Sequence, residues 1–366
     1  MKAVILHDQV LPDANLDHKD VLHQAEAITQ ILAKLGYQTT VINVSLNLKE
    51  LIDRLRTESP TIVFNLVESI EGQGCFIHLV PSILDHLKLP YTGSKTEALF
   101  LTSNKLLTKK ILLKAGISTI PPISRAELKF NKKLKVNGLY IIKSVWEHAS
   151  QGIDENSVIR VENNNQLYQA IQAKEKQYGG GWFAEKYIEG REFNISLLSS
   201  PQGPEILPPS EILFENYPPE KAKIVCYRAK WVEDSFEYNH TPRTFEFPPA
   251  DYPLLQKLKK IARKCWKIFG LHGYARVDFR VDRFNHPFVL EINANPCISP
   301  DSGFVASTAQ AGISMKQMVK RIINNALQTL SLTPTRKFSS FTFSHWAKET
   351  TINSKSTLKN IMSKIQ

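Results

Sequence analysis

The feature that most constrains this chain is a predicted β-hairpin in its last third. Residues 275–281 and 288–293 are mostly apolar, with polar residues at every second position, and the polar segment 282–287 supplies a turn between them. In an antiparallel pair, the residue numbers of facing positions have a constant sum. A turn centred between Phe284 and Asn285 therefore predicts which side chains face one another across the two strands.

The predicted register places four polar side chains on one face of this hairpin. It sets Asp278 opposite Glu291, and Arg276 opposite Asn293, and alternate residues of a strand point the same way. Directly opposed carboxylates have Cβ atoms about 5 Å apart and repel each other unless a cation lies between them. Carboxylate and amide oxygens suit Mg²⁺, so this face predicts a magnesium site. The alternative is a solvated polar face on an ordinary hairpin.

Composition narrows the class of protein. The chain has 366 residues, 42% of them hydrophobic and 22% charged, which is typical of a globular protein with two or three packed units. It has no long apolar run, and its four cysteines form no CxxC pair, so we expect a reduced, cytoplasmic protein that spans no membrane. The net charge of +11 leaves a basic nucleic-acid-binding or membrane-binding module open. The spread of the lysines and the lack of a nucleic-acid motif favour phosphorylated ligands instead.

Hydrophobic periodicity predicts the order of helices and strands. In the first hundred residues, strands alternate with helices, which is typical of a parallel sheet covered on both faces. The predicted strands here are 2–6, 39–44 and 61–66, and the helices are 21–35 and 49–56. Further along, we expect helices at 104–114, 166–176, 252–269 and 314–330, and strands at 140–143 and 182–185. From residue 331 the chain is rich in Ser, Thr and Lys, which predicts a mobile or loosely docked tail.

A second candidate site is a loop that follows a predicted strand. Lys143 ends that strand, and residues 144–153 include Ser150 and several small residues. Such a loop can fold over phosphates, offering backbone N–H groups and a hydroxyl while the lysine supplies charge. The P-loop pattern is absent, and a lysine at the end of a strand can also be merely solvated.

A series of short segments, in order along residues 1–330, ties these features together. They are residues 63–68, 89–94, 104–105 with Lys109, 142–143, 150–153, 184–193, 229–231, 275–278 and 291–296. With them, the chain resembles ATP-grasp enzymes of the D-alanine–D-alanine ligase group. The resemblance implies an α/β fold with an N-terminal Rossmann-like parallel-sheet domain and two subdomains that sandwich a nucleotide. The implied boundaries are 1–98 for the first domain, 99–188 for a central subdomain with a phosphate lid loop, 189–331 for a C-terminal subdomain with the magnesium site, and 332–366 for a basic tail.

The resemblance also implies roles for individual residues. The implied nucleotide-binding residues are Lys105, Lys143 and Lys230 for the phosphates, Ser150 in the lid over the β-phosphate, Glu185, Lys186 and Ile188 in the hinge at the adenine, and Glu192 for the ribose. Two Mg²⁺ ions, for which Mn²⁺ can substitute, would be held by Asp278, Glu291 and Asn293. The implied catalytic residues are Arg276, which stabilises the tetrahedral intermediate, together with Ser150 and Lys230. The implied substrate contacts are Asp17 for an ammonium group, the backbone amide of Cys297 for the oxyanion, and Ser302 for a carboxylate.

The activity implied is an ATP-dependent, ADP-forming ligase that joins a carboxylate to an amine through an acyl phosphate. The partners would be small molecules, in the first place amino acids, and a homodimer is left open. Two alternatives remain: the same activation chemistry on a carboxylate that is not an amino acid, and a catalytically silent ATP-binding regulatory protein. The set of Asp278, Glu291, Asn293 and Arg276 is intact, which argues against a protein that has lost its catalytic activity.

Three departures from the family pattern concern the lid. Asp17 stands where the family has a glutamate, Ala149 where it has a serine, and Trp231 where it has a tyrosine. All three members of the polar network that locks the lid are therefore changed. We expect D-alanine to be a poor substrate and a larger amino acid to be preferred at one of the two subsites, with the Cys297 thiol playing no part.

Overall fold

The first hundred residues alternate strands and helices and build a parallel sheet. The computed structural model describes residues 1–331, and the predicted tail at 332–366 lies outside the described residues. The elements here are β1 (Lys2–Asp8), α1 (Leu16–Lys34), β2 (Gln38–Val44), α2 (Leu48–Glu58) and β3 (Ile62–Asn65). The strands pair in parallel in the order β2-β1-β3, which confirms the sheet predicted from the alternation.

Helix α1 begins earlier than its apolar pattern predicted. The pattern starts at Val21, whereas the helix starts at Leu16, because Asn15 has an extended backbone in the N-cap position and the residues after it form a largely polar first turn. Asp17 therefore lies in the first turn of a helix. Gly36 follows the helix with a φ of 83°, a conformation that glycine adopts without strain.

A four-stranded antiparallel sheet forms the middle of the chain. Three helices lead to it: α3 (Leu79–His86), α4 (Thr96–Ser103) and α5 (Lys105–Lys114). The sheet and its helices are β4 (Ile123–Ser124), α6 (Arg125–Phe130), β5 (Gly138–Ser144), β6 (Val158–Val161), α7 (Asn164–Tyr178) and β7 (Trp182–Lys186), with the strand order β4-β7-β5-β6. The predicted helix at 104–114 and strands at 140–143 and 182–185 are confirmed, whereas α3 and α4 were not predicted.

A six-stranded antiparallel sheet follows. Its strands are β8 (Gly190–Ser200), β9 (Gly203–Ile206), β10 (Ser210–Ile212), β11 (Arg243–Thr244), β12 (Tyr274–Asp282) and β13 (Pro287–Asn293). The order is β11-β10-β8-β12-β13, and β9 pairs with β8. The helices of this part are α8 (Tyr227–Trp231), α9 (Phe236–Asn239), α10 (Tyr252–Ile268), α11 (Gly303–Gln310) and α12 (Met315–Ser331). Among residues 1–331, no helix combines the length and the hydropathy needed to cross a membrane.

The β12–β13 hairpin has the predicted pairs at one end and a bulge in its middle. Arg276 faces Asn293, and Asp278 faces Glu291, as the register predicted. The expectation of one unbroken register was wrong, because Phe279 pairs with Val289 and leaves Leu290 as an extra residue. The bulge turns both Leu290 and Glu291 toward the same cleft, which an alternating pattern cannot do.

The first and the last sheet share a hydrophobic core, besides the clusters that cover their other faces. The buried residues of the main core of the middle sheet lie between Leu128 and Ala184. A second cluster, here called the shared core, combines the first and the last sheet; its members include Ile5, Ile28, Phe64, Tyr274, Phe304 and Ile322. The sheets fall one in each of the ranges 1–98, 99–188 and 189–331, but Met1–Gln328 form one compact unit, so these boundaries stay a prediction.

Candidate active site

A cleft of about 500 Å³ collects most of the side chains that the sequence singled out. They are Lys105, Lys143, Ser150, Glu185, Lys186, Ile188, Glu192, Lys230, Arg276, Asp278, Glu291, Asn293 and Cys297. Asp17 and Ser302 are not in its lining. Ser302 caps α11 by accepting a hydrogen bond from the Val305 N–H at 3.3 Å, and its neighbours Asp301 and Gly303 do line the cleft.

Glu185 ties two lysines together at the back of this cleft. Its carboxylate lies 2.6 Å from the ammonium nitrogen of Lys143 and 2.7 Å from that of Lys109. Burial alone would raise the pKa of Glu185, but the two lysines outweigh it and hold that pKa below its usual value. Sequence analysis assigned only the backbone of Glu185 and gave Lys109 no role.

Two further lysines stand near Glu291. The Lys105 ammonium group donates to the backbone carbonyl of Glu147 at 2.5 Å, whereas that of Lys230 has no hydrogen-bond partner within the described part of the chain. Although burial would raise the pKa of Glu291, Lys105 and Lys230 hold it far below its usual range. The cleft therefore offers positive charge to an anionic ligand while Glu291 stays ionised.

Arg280 joins the predicted ribose and adenine contacts. It donates to Glu192 at 3.1 Å and to the Ile188 carbonyl at 2.8 Å, and its side chain is only 4% exposed. Sequence analysis missed this residue. The available signal was the strand period, because Arg280 lies two residues after Asp278 and four after Arg276, on the same face of β12.

Asp278 is already hydrogen-bonded on both oxygens. Arg276 donates two hydrogen bonds to it, at 2.8 and 2.9 Å, and the amide groups of Asn194 and Asn293 donate at 2.7 and 3.0 Å. Among the described residues, Glu291 accepts a single weak contact, 3.5 Å from the Asn293 amide nitrogen. Asn194, two residues after Glu192 on β8, was also missed.

The donor set at this corner fits a hard divalent cation. Two carboxylates and an amide side chain converge, which is the ligand chemistry of Mg²⁺. Residues 1–331 contain no group of three or more His, Cys, Asp or Glu side chains suited to a metal, so a site here depends on Asn293 as the third ligand. Asn293 can present its oxygen by rotating its amide group by half a turn.

The lid loop has a left-handed backbone and is held on both sides. Ala149 and Ser150 have φ angles of 57° and 62°, which are costly for residues other than glycine. The Trp231 indole N–H donates to the Ala149 carbonyl at 3.1 Å, and the Ser150 hydroxyl donates to the Val225 carbonyl at 2.8 Å. These contacts to the segment around α8 offset the cost of the loop conformation.

Asp17 contacts the lid loop instead of the cleft. Its side chain is 2% exposed and accepts hydrogen bonds from Gln151 at 2.7 Å and from the Tyr227 hydroxyl at 3.0 Å. Two of the residues that depart from the family's lid-locking network still bind the lid, through other contacts. Asp17 accepts hydrogen bonds from Gln151 and Tyr227, and Trp231 donates to a backbone carbonyl. Because α1 starts at Leu16, Asp17 lies in the first turn of the helix, next to the lid loop.

Asp20 and Glu68 form an acidic end of the cleft. Asp20 accepts hydrogen bonds from the Ser299 hydroxyl at 2.7 Å and from the Cys297 thiol at 3.1 Å. The expectation that this thiol takes no part in the reaction stays a prediction. Burial raises the pKa of Glu68 to about 8; a hydrogen bond from Gln24 opposes this and nearby carboxylates add to it. Sequence analysis gave neither acid a role, although Glu68 lies in the segment 63–68 that it singled out. Asp20 could have been found, because it lies three residues after Asp17 on one side of α1.

Comparisons with known proteins agree with this geometry. A family model described as "D-ala D-ala ligase C-terminus" matches residues 127–324. The D-alanine–D-alanine ligase of Moorella thermoacetica is 30% identical over 315 residues, covering 84% of this chain and 94% of that protein. The D-alanine–D-alanine ligase of Carboxydothermus hydrogenoformans is 31% identical over 320 residues, covering 84% and 93%. An uncharacterized protein of Sinorhizobium fredii is 28% identical over 307 residues, covering 82% and 87%.

Solved structures share the fold. The crystal structure of D-alanine–D-alanine ligase from Bacillus anthracis complexed with ATP superimposes with a TM-score of 0.67, covering 90% of this chain and 99% of that one at 20% identity. The ligase from Coxiella burnetii gives a TM-score of 0.65 with 18% identity, covering 90% of this chain and 95% of that one. The predicted α/β fold with an N-terminal parallel sheet is confirmed, and the structure adds two antiparallel sheets after it.

Proposed function

The chain belongs to the D-alanine–D-alanine ligase family of ATP-grasp enzymes, and we propose from that premise how its cleft carries the reaction. It is an ATP-dependent ligase that joins a carboxylate to an amine and forms ADP. The observation that carries the proposal is that one cleft brings together the charged side chains that the reaction needs. They are Lys105, Lys143, Lys230, Asp278, Glu291 and Arg276. The cytoplasm, which supplies ATP and keeps unpaired cysteines reduced, suits this chemistry.

The nucleotide would lie along the wall formed by β5, β7 and β8. Lys105, Lys143 and Lys230 would hold the phosphates, with the Ser150 hydroxyl above them in the lid. Lys186 and Ile188 would border the adenine, and Glu192, held in place by Arg280, would accept the ribose hydroxyls. Support comes from the lining of the cleft and from the free ammonium group of Lys230.

Asp278, Glu291 and Asn293 would hold Mg²⁺, as two ions, with Mn²⁺ as a substitute. The ions would offset the charge on the transferring phosphoryl oxygens. The low pKa of Glu291 keeps this ligand ionised at any physiological pH. Its oxygens make no strong hydrogen bond to any residue that the structure describes, which leaves them available to the ions.

The chemistry proceeds in two displacements. A substrate carboxylate oxygen attacks the γ-phosphorus of ATP, the bond to the β-phosphate oxygen breaks, and an acyl phosphate forms with ADP. The neutral amine of the second substrate then attacks the acyl carbon, and the tetrahedral intermediate collapses as the bond from carbon to the phosphate oxygen breaks. The leaving phosphate takes up the proton that the amine loses. Arg276 and the backbone N–H of Cys297 would stabilise the oxyanion, and the lid would exclude water from the acyl phosphate.

The acidic end of the cleft would receive the ammonium group of the first amino acid. Asp20 and Glu68 line the cleft, whereas the carboxylate of Asp17 is taken up by the lid, so we assign this contact to the former two. Ser302 remains our proposal for the carboxylate of the second substrate. Because Trp231 and the acidic pair change the surroundings of the first substrate, we propose that a larger amino acid replaces D-alanine at one subsite.

A phosphate-release assay tests the activity and the substrate together. The purified protein is mixed with ATP, Mg²⁺ and each common L- and D-amino acid, singly and in pairs. We expect ADP and phosphate to form only with certain pairs, and D-alanine to be poorer than the best of the panel. Efficient formation of D-alanyl-D-alanine would contradict the substrate proposal, and ATP binding without turnover on any carboxylate would favour the silent regulatory protein.

The acidic end also predicts a pH dependence. Glu68, with a pKa of about 8, carries a proton at pH 6–7 in the free protein. An ammonium group binds its ionised form, so the KM for the first amino acid should fall as pH rises from 6 to 8, by up to about tenfold per unit well below the pKa. Initial rates measured across this range with saturating ATP check the slope.

A neighbouring glutamate supplies the control. Glu68→Gln should remove the slope, whereas Glu71→Gln, an exposed change in the same loop, should keep it. If Glu68→Gln retains the full pH dependence of KM, the ammonium group is bound elsewhere.

A further inference from the structure

Lys109 is a buried lysine for which the reaction described above has no use. Its side chain is 1% exposed and that of Glu185, its partner, is fully buried. The Lys109 ammonium nitrogen lies 2.7 Å from one Glu185 oxygen, and the other oxygen lies 2.6 Å from Lys143. Burial of a charged lysine is expensive and calls for compensating contacts, so its position at the back of the cleft needs an explanation.

The charges of these three residues explain the arrangement. A pair of Lys143 and Glu185 alone would be neutral, and any movement of Lys143 toward a phosphate would leave a bare, buried carboxylate. With Lys109 present, the group carries one net positive charge. Glu185 can then keep one ion pair while Lys143 turns to an anionic ligand in the cleft.

The same lysine is anchored to the strand of the opposite wall. Lys109 donates to the Thr119 hydroxyl at 3.1 Å, and Thr119 donates to the Val289 carbonyl at 2.6 Å. The Val289 N–H donates in turn to the Ser118 carbonyl at 2.9 Å. Val289 precedes the bulge at Leu290, which is followed by Glu291. A continuous polar chain thus runs from β13 through Lys109 and Glu185 to Lys143 on β5.

We propose that Lys109 is a positioning residue that keeps Glu185 paired, so that Lys143 is free to bind a phosphate of ATP at a fixed distance from the Glu291 strand. The inference rests on the proposed function, because it takes a nucleotide phosphate as the ligand of Lys143. Lys109 itself touches no substrate; it acts through Glu185. Without Lys109, Lys143 would remain ion-paired with Glu185, and its ammonium group would not bind the nucleotide phosphate.

Binding of ATP measured by calorimetry tests the proposal on the full chain. In Lys109→Met, the Kd for ATP should rise by about 10–100-fold, the equivalent of one charge-assisted hydrogen bond. Lys110→Met, a change of the adjacent exposed lysine, should leave the Kd within about twofold, a change that is small on the scale of one such bond. Lys109→Arg, which keeps the positive charge, should lie between these two.

A double variant separates positioning from mere structural support. In Lys109→Met/Glu185→Gln, the carboxylate that retains Lys143 is gone, so the Kd for ATP should return to within about threefold of the wild-type value, well inside the effect of one charge-assisted hydrogen bond. If Lys109→Met does not fold, the Kd for ATP of the double variant still tests the proposal, because that variant buries no unpaired charge. A double variant that binds ATP as weakly as a chain lacking Lys143, or a Lys109→Met chain with unchanged Kd, would overturn the proposal. If the wild-type chain binds no ATP at all, the proposed function fails instead.

Discussion

Glu291→Gln is expected to reduce kcat/KM by about 10²–10³-fold, the scale seen when one preorganised electrostatic contact to a transition state is removed. Glu291 lies near Lys105 and Lys230 and, within residues 1–331, accepts a single weak hydrogen bond, so its charge serves a ligand and not the packing of the hairpin. The thermal midpoint should therefore change little. ADP formation, Mg²⁺ dependence and thermal midpoint measured on one sample check this.

The control for this variant lies on the same hairpin. Asp282 accepts hydrogen bonds from the backbone N–H groups of Phe284 and His286 in the turn. Asp282→Asn should lower the thermal midpoint and leave the Mg²⁺ dependence unchanged, the reverse of the expected pattern for Glu291→Gln. If both variants behave alike, Glu291 is a structural residue and the metal assignment is wrong. Asp278 is a poorer choice for this test because its change also breaks two hydrogen bonds to Arg276.

Arg276→Lys is expected to lower product formation by roughly 10³–10⁵-fold, the range known for arginines that stabilise the charge of a transition state. The planar guanidinium group of Arg276 donates two hydrogen bonds to Asp278 and still borders the cleft, an arrangement that a lysine cannot reproduce. The Kd for ATP should change by less than about tenfold, the equivalent of a single neutral hydrogen bond. Calorimetry with ATP and a product assay, run in parallel, separate the two quantities.

Arg191 offers a matched arginine outside the cleft. It makes a two-bond contact with Glu211, at 2.7 and 2.6 Å, and a second one with Asp251. Arg191→Lys should reduce stability with little effect on turnover per folded molecule. A similar profile for Arg276→Lys would show that Arg276 serves only to hold Asp278.

The sequence predicted the structural features that depend on neighbouring residues in the chain. The alternation of strands and helices predicted the first sheet, and the period of two predicted the facing pairs Arg276–Asn293 and Asp278–Glu291. The bulge at Leu290 could not be read, since it depends on how a whole strand packs between neighbours. The start of α1 was placed too late because an apolar pattern marks the buried face of a helix and not its polar first turn.

Long-range contacts were the other gap. The pairing of Lys109 on α5 with Glu185 on β7 joins residues far apart in the chain, which only the tertiary fold brings together. Asp17 looked like a substrate contact because its sequence position suggested one, but Gln151 and Tyr227 occupy its carboxylate. The sequence identifies each of these side chains as polar, but it does not predict which residue each one contacts in the folded chain.

The shared core has a consequence for how the chain must be made. Its first members, among them Ile5, Ile28 and Phe64, are synthesised early, but their partners Tyr274, Phe304 and Ile322 emerge only near the end. At roughly 5–20 residues per second, the early apolar face waits through most of translation without its cover. The middle sheet, with a core of its own, has no such delay. The nascent chain can thus complete the core of its middle sheet before it covers this face of its first sheet.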